Sequence, residues 1–176
     1  MTPESGKHIV QCDRNTSLCT GCNSCMMMCG LSHNGACGPA NGRIKVHLDS
    51  TSSMMYTVYA CQHCSDHPCY NACPLKDKAM CVDENNIVYI NEDKCVGCGR
   101  CMKACRFTPS RITLVQVKDR KKRKAKKCDL CRNNPDGPVC VAHCSARVLS
   151  LGEDQSQMKA VLVQEADVNA GTEKNT

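Results

Sequence analysis

Nineteen of the 176 residues are cysteines, and sixteen of these fall into four groups of four: Cys19, Cys22, Cys25 and Cys29; Cys61, Cys64, Cys69 and Cys73; Cys95, Cys98, Cys101 and Cys105; Cys128, Cys131, Cys140 and Cys144. A thiolate is a soft metal ligand as well as a redox group, so this density admits metal or disulfide chemistry. Spacing separates them. Groups one and three run C-x2-C-x2-C-x3-C, where three thiolates two residues apart wrap a loop around one face of an iron–sulfur cube and the fourth leaves on a helical turn towards a neighbouring cube. Groups two and four keep the opening C-x2-C and the closing C-x3-C with four and eight residues between them, the same wrap carrying a larger loop. Zinc also takes four thiolates, in paired C-x2-C knuckles joined by an arm. It could serve group four alone, but it has no use for a third cysteine at the same two-residue step.

A disulfide scaffold needs an oxidising compartment. Residues 1–10 carry neither a basic segment followed by an apolar stretch nor a twin arginine, and the longest apolar runs, such as 25–29 and 160–163, are far below the roughly 20 residues that span a bilayer. The expectation is a soluble, cytoplasmic protein whose reduced thiols hold metal. Its core cannot rest on side chains alone: there is no Trp, Phe107 is the single Phe, and the 41% hydrophobic content falls to about 30% once the cysteines are set aside.

The elements that must position these ligands are short and repeated. The quartets begin at residues 19, 61, 95 and 128, an internal repeat. Alternating, β-branched segments at 7–11, 55–60, 86–91 and 111–118 precede them and predict strands. A further strand at 43–49 can pair with 55–60, and Asn85-Asn86 predicts a hairpin between 80–82 and 87–90. A brief helix is expected after each quartet's third cysteine, for example over 100–106. The fold class is α+β, built of tandem bacterial-ferredoxin-like modules with short strands and short helices around clusters; residues 168–176 are expected to be a disordered tail.

Three stretches carry a resemblance: Cys61-Gln-His-Cys-Ser-Asp-His-Pro-Cys-Tyr-Asn-Ala-Cys-Pro74, Cys95-Val-Gly-Cys-Gly-Arg-Cys-Met-Lys-Ala-Cys105 and Lys127-Cys-Asp-Leu-Cys131. Over residues 7–152 the chain resembles the four-cluster ferredoxin-type electron-transfer subunits of molybdenum or tungsten pterin oxidoreductases, among them those of formate dehydrogenases, dimethyl sulfoxide and polysulfide reductases, formate-linked hydrogenases and tungsten aldehyde oxidoreductases. The resemblance implies four [4Fe-4S] clusters in two pseudo-symmetric halves, an outer one (1–60 with 106–167) and an inner one (61–105). Carried over residue by residue, Cys19, Cys22, Cys25 and Cys144 hold one cluster and Cys128, Cys131, Cys140 and Cys29 its neighbour. Cys61, Cys64, Cys69 and Cys105 hold a third, and Cys95, Cys98, Cys101 and Cys73 the fourth. The family's proline after each closing cysteine survives only as Pro74; Gly30, Arg106 and Ser145 stand at the other three places.

The implied partners are a large pterin-dependent catalytic subunit and a second redox partner such as a ferredoxin, a flavoprotein or a hydrogenase subunit, with further copies of the chain itself as another. The chain would be an electron relay and not an enzyme alone, since a full thiolate quartet leaves no open iron, and neither a dinucleotide fingerprint nor a Walker A sequence is present. The rival reading is a metal-stabilised nucleic-acid-binding protein using the run 118–127, which has eight basic residues and one acid. Such a run is usually a solvated segment, and single-strand binding wants aromatic platforms that this run lacks; screening of the fourth quartet's cluster or docking of an acidic redox partner is the better use. Cys12, Cys37 and Cys81 read as buried small hydrophobes. His63 and His67 read as packing around the second quartet, where they could donate to cluster sulfur, and Met26, Met27 and Met28 as apolar shielding of the first cluster. The formal charge of +6 counts every thiol as neutral. Sixteen thiolates with four oxidised cores of roughly +2 each bring it to about −2, so the basic excess compensates the clusters.

Overall fold

The computed structural model describes residues 7–11, 18–49, 55–117 and 123–152. In chain order it contains β1 (His8–Gln11), α1 (Ser24–Asn34), a 3-10 turn (Pro39–Asn41), β2 (Lys45–Asp49), β3 (Met55–Tyr59), α2 (Pro68–Asn71), β4 (Met80–Val82), β5 (Val88–Ile90), α3 (Arg100–Lys103), β6 (Ile112–Gln116), β7 (Arg123–Lys127), α4 (Val139–Ala142) and β8 (Leu149–Gly152). It is a small α+β chain of short elements. The strands pair antiparallel in four two-stranded ribbons, β1–β8, β2–β3, β4–β5 and β6–β7.

Three ribbons join strands that follow one another in the chain, and alternation predicts two of them, β2–β3 and β4–β5. In β4–β5 the turn is closed by Asp83, whose Oδ1 accepts the N–H groups of Asn85 (3.0 Å) and Ile87 (2.8 Å), while Asn86 takes a left-handed conformation that its short polar side chain tolerates. The fourth ribbon is non-local: His8 lies opposite Gly152 and Gln11 opposite Leu149, so the ends of the described chain close on each other. Two-stranded ribbons are marginal alone, and each here leans on cysteine loops. Buried side chains form two groups. One comprises Ile9, Met26, Ile44, Ala60, Leu130 and Leu149 with Cys25, Cys29, Cys61, Cys128 and Cys140. The other comprises Met80, Val88, Ile112 and Ala125 with Cys69 and Cys101.

Two features depart from the sequence reading. The helix at the first quartet runs 11 residues, past Cys29 to Asn34, whereas α2, α3 and α4 have four each. Gly30 permits the extension without causing it, since Arg106 and Ser145 also replace proline after helices of four residues: a proline there would break the helix, and a Cβ would come within 3.0 Å of the Gly38 carbonyl and Asn41. The second departure is the basic run. Residues 118–122 lie outside the described residues, but 123–127 form β7, not a solvated segment. Lys124 donates to the carbonyls of Glu92 and Asp93, Lys126 to Asn34, and Lys127 is 1% exposed. Arg43 closes the same knot, with Nη1 2.7 Å from Asp129 and Nη2 2.9 Å from Glu92. The lysines of β7 are spent inside the fold, so this half of the run offers neither a nucleic-acid surface nor a docking strip.

Candidate metal centres

Every described cysteine is a free thiol. Three cavities gather twelve of them. One, of about 370 Å³, is lined by Cys73, Cys95, Cys98 and Cys101; a second, of about 360 Å³, by Cys61, Cys64, Cys69 and Cys105; a third, of about 320 Å³, by Cys19, Cys22, Cys25 and Cys144. In each, three cysteines come from one quartet and the fourth is the closing cysteine of another. The remaining four are mutually close enough that Cys29 and Cys131 act electrostatically on Cys140, and Cys29 on Cys131.

The backbone that shapes these loops repeats with the sequence. The second residue after each quartet's first cysteine is left-handed: Gly21 (φ 68°), His63 (45°), Gly97 (69°) and Leu130 (55°). Two residues before the third cysteine the same conformation recurs at Asn23, His67 and Gly99, which begin α1, α2 and α3; Pro138 replaces it before α4. Non-glycine residues cost about 1–2 kcal/mol there, so His63 and Leu130 are held by their surroundings. Gly97 has a further reason to lack a side chain, because a Cβ would lie 2.1 Å from the Arg123 carbonyl oxygen of β7. Gly97→Ala is therefore expected to push β7 off its seat, lose the Ala125 N–H to Cys95 Sγ hydrogen bond (3.4 Å) and cost more than about 2 kcal/mol, read as a lower urea midpoint of the holo protein.

The donor set fits an iron–sulfur group. Burial pushes the thiols of Cys25, Cys69 and Cys101 up to about 11 and that of Cys140 up to about 12, and it raises Cys128 well above the ordinary thiol range. Such groups ionise at neutral pH only beside a bound cation. Backbone N–H groups already aim at ligand sulfur: Arg43 at Cys29 (3.3 Å), Arg111 at Cys105 (3.4 Å) and Leu130 at Cys128 (3.5 Å). His63 is 1% exposed. Its Nδ1 accepts the Val88 N–H at 3.1 Å, and burial, with Lys127, His8 and His67 adding, drives its pKa down to about 2, so the ring is neutral and carries its proton on Nε2. That Nε2 and the Nε2 of His67 are buried without a partner, and both rings line the second cavity.

Sequence reasoning misplaced some neighbours. Cys37 is exposed, not buried, with Sγ 3.9 Å from the Met27 carbonyl oxygen. Cys81 is half-buried on β4 beside the Tyr89 hydroxyl, and Cys12 lies outside the described residues. None of Met26, Met27 and Met28 lines the first quartet's cavity; Val46, Val58, Val148 and Leu149 do. Met26 is instead buried under β2, its Sδ accepting the Val46 N–H at 3.2 Å. His33 went unremarked, yet its Nε2 lies 3.5 Å from Cys131 Sγ and 3.4 Å from Asp129. No helix among the described residues is long and apolar enough to cross a membrane.

Cysteine-lined cavities on an α+β frame of short ribbons define a ferredoxin-like iron–sulfur protein of electron transport. Residues 52–154 match the family model described as a 4Fe-4S dicluster domain, and the chain belongs to that family. It is 35% identical over 142 residues to YsaA of Escherichia coli (strain K12), a protein named for electron transport, covering 77% of this chain and 84% of that one. With the polyferredoxin-like subunit of the aliphatic sulfonate oxidoreductase of Pyrococcus furiosus it shares 36% over 127 residues, 72% of this chain and 66% of that one. With the electron transport protein HydN of Escherichia coli (strain K12) the identity is 30% over 149 residues, 77% and 83%. Two longer relatives are matched over only 21% and 23% of their length.

Proposed function

We propose that the chain is a non-catalytic relay that carries four [4Fe-4S] clusters and passes single electrons between a large molybdenum- or tungsten-pterin oxidoreductase subunit and a second redox partner. The observation that carries this reading is the crossed gathering of cysteines: Cys105 faces Cys61, Cys64 and Cys69, while Cys73 faces Cys95, Cys98 and Cys101. Cys144 completes the first quartet's set, leaving Cys29 for Cys128, Cys131 and Cys140. An outer half (1–60 with 106–167) and an inner half (61–105) would each hold two clusters, with the β6–β7 ribbon laid over the inner one, since Ile112 and Ala125 share the buried group of Cys69 and Cys101. Iron–sulfur clusters with four thiolates exchange one electron with little rearrangement, and the chain's part is to hold them apart, exclude water and set the local field.

Partners would meet the relay where ligands reach the surface. Cys22 and Cys98 are the exposed ligands, each within four residues in sequence of an exposed apolar residue, Leu18 at 51% and Val96 at 64%. The test is an anaerobic purification with iron, sulfide and metal analysis. About 16 iron and as many sulfides per chain are expected, together with a co-purifying chain that contains the pterin. About 8 iron would halve the relay, and zinc in place of iron would overturn it.

A further inference from the structure

The four candidate centres differ sharply in what surrounds them. Around Cys73, Cys95, Cys98 and Cys101 the lining is apolar or glycine throughout, from Pro74 and Leu75 to Ala125. Around Cys19, Cys22, Cys25 and Cys144 it is uncharged, with Thr20, Asn23 and Ser24 as its polar members. The fourth set has Lys127 on one side and His33 Nε2 3.5 Å from Cys131 Sγ, but Asp129 lies within it, 3.4 Å from that same nitrogen, and Arg43 there is shared between Asp129 and Glu92.

The set of Cys61, Cys64, Cys69 and Cys105 stands apart. Among the described residues, four buried side-chain polar atoms lack a hydrogen-bond partner: Arg43 Nε, His63 Nε2, His67 Nε2 and Arg111 Nε. The last three belong to side chains lining this one cavity. Leaving a buried donor unsatisfied costs about 1–3 kcal/mol, so three at one wall imply an acceptor that the protein itself does not supply. Positive charge collects there too. Arg111 stacks on Tyr59 and Phe107 at 4.1 and 5.3 Å, and its charge acts on Cys105 and Cys61. Lys127, fully buried, donates its ammonium to the carbonyls of Val88 and Cys128, and its charge acts on Cys69. Neither cation has a carboxylate partner among the described residues. Arg106 also lines the wall, but Asp66 pairs with it.

We infer that, of the four centres, the one held by Cys61, Cys64, Cys69 and Cys105 has the highest reduction potential and is the electron sink of the relay, because His63, His67 and Arg111 donate hydrogen bonds to its sulfurs and Lys127 sets an unpaired charge beside it. The inference rests on the four-cluster reading above. Reduction adds one electron, supplied by a reduced neighbouring centre, and breaks no bond. The added negative charge is what N–H···S hydrogen bonds and a buried ammonium stabilise. An electron entering at either exposed ligand would therefore pause at this centre before leaving. His63 and His67 act here as positioning and tuning residues.

The test is a potentiometric titration of the anaerobically purified full chain, followed by electron paramagnetic resonance, in the wild type and in four variants. Cys64→Ala marks which one-electron wave belongs to this centre, and that wave is expected to be the first to reduce. His63→Leu is tolerated by the backbone, because Leu130 occupies the equivalent left-handed position; it should make this centre at least tenfold harder to reduce, a 59 mV shift for one electron, with the first and third quartets' waves unmoved. Lys127→Met should lower this wave by a similar amount and that of its Cys128 neighbour less, while Lys127→Arg should restore most of both. Iron analysis keeps the two readings distinguishable: full iron in the wild type with the marked wave not the highest, or unmoved by His63→Leu, overturns the electron sink alone, whereas low iron in the wild type overturns the relay itself.

Discussion

Stripped of iron by anaerobic oxidation and chelation, the chain is expected to lose most of its circular dichroism and its resistance to proteolysis, and to recover both when iron and sulfide are returned. Five of the eleven residues in the larger buried group are cysteines, and two of the six in the smaller, so a large share of each core is thiol and not hydrocarbon. Emptying the sites would leave each cysteine set facing open space. Where a metal site holds the core together, its binding free energy is folding free energy, on a scale comparable with the whole stability of an ordinary domain, about 5–15 kcal/mol. The ribbons have no independent means of surviving its loss. Recovery should also depend on pH in a fixed direction. Each thiol of the unfolded chain must lose its proton to bind iron, so refolding with iron and sulfide should be more complete near about pH 8.5 than near about pH 6.5. A stripped chain that keeps its spectrum and protease resistance would show that side-chain packing, not metal, carries the fold.

The cysteine spacing made the loops that line the cavities legible because a C-x2-C step is a local object: its geometry is set by neighbours in the chain. The same holds for the β2–β3 and β4–β5 ribbons, where alternation and a turn fall within one short window. What escaped was decided at a distance. Nothing in Arg123-Lys-Ala-Lys-Lys127 resembles a strand, yet β7 forms because β6 offers an edge and because the carbonyls of Glu92, Asp93, Val88 and Cys128 receive its ammonium groups. β8 needs β1, 144 residues earlier at its outer pair, His8 opposite Gly152. His63 was visible as a neighbour of the second quartet, but its tautomer depends on a hydrogen bond from Val88, 25 residues away. Pattern reading weighs a lysine run as solvent-facing, and only the surrounding carbonyls reverse that.

Alanine at Cys105 and alanine at Cys64 are expected to damage the same centre, whereas alanine at Cys101, four residues from Cys105, should damage a different one. Sequence proximity argues the opposite grouping, since Cys101 and Cys105 share one C-x3-C step. The helix α3 separates them: Cys101 lies within it, buried, and faces Cys73, Cys95 and Cys98, while Cys105 follows its end and joins Cys61, Cys64 and Cys69. Each variant should hold about 12 iron, or about 15 where a three-iron remnant survives, against about 16 in the parent. The decisive readout is which paramagnetic wave disappears: one and the same wave for Cys64→Ala and Cys105→Ala, another for Cys101→Ala and Cys73→Ala. The effect on transfer should exceed the loss of a quarter of the iron, because a chain of centres conducts only through its missing member's neighbours, and dithionite-driven reduction of an acceptor docked at one rim should fall by more than tenfold in either class. If Cys105→Ala instead removes the wave that Cys101→Ala removes, each quartet binds its own iron and the crossed ligand sets are wrong.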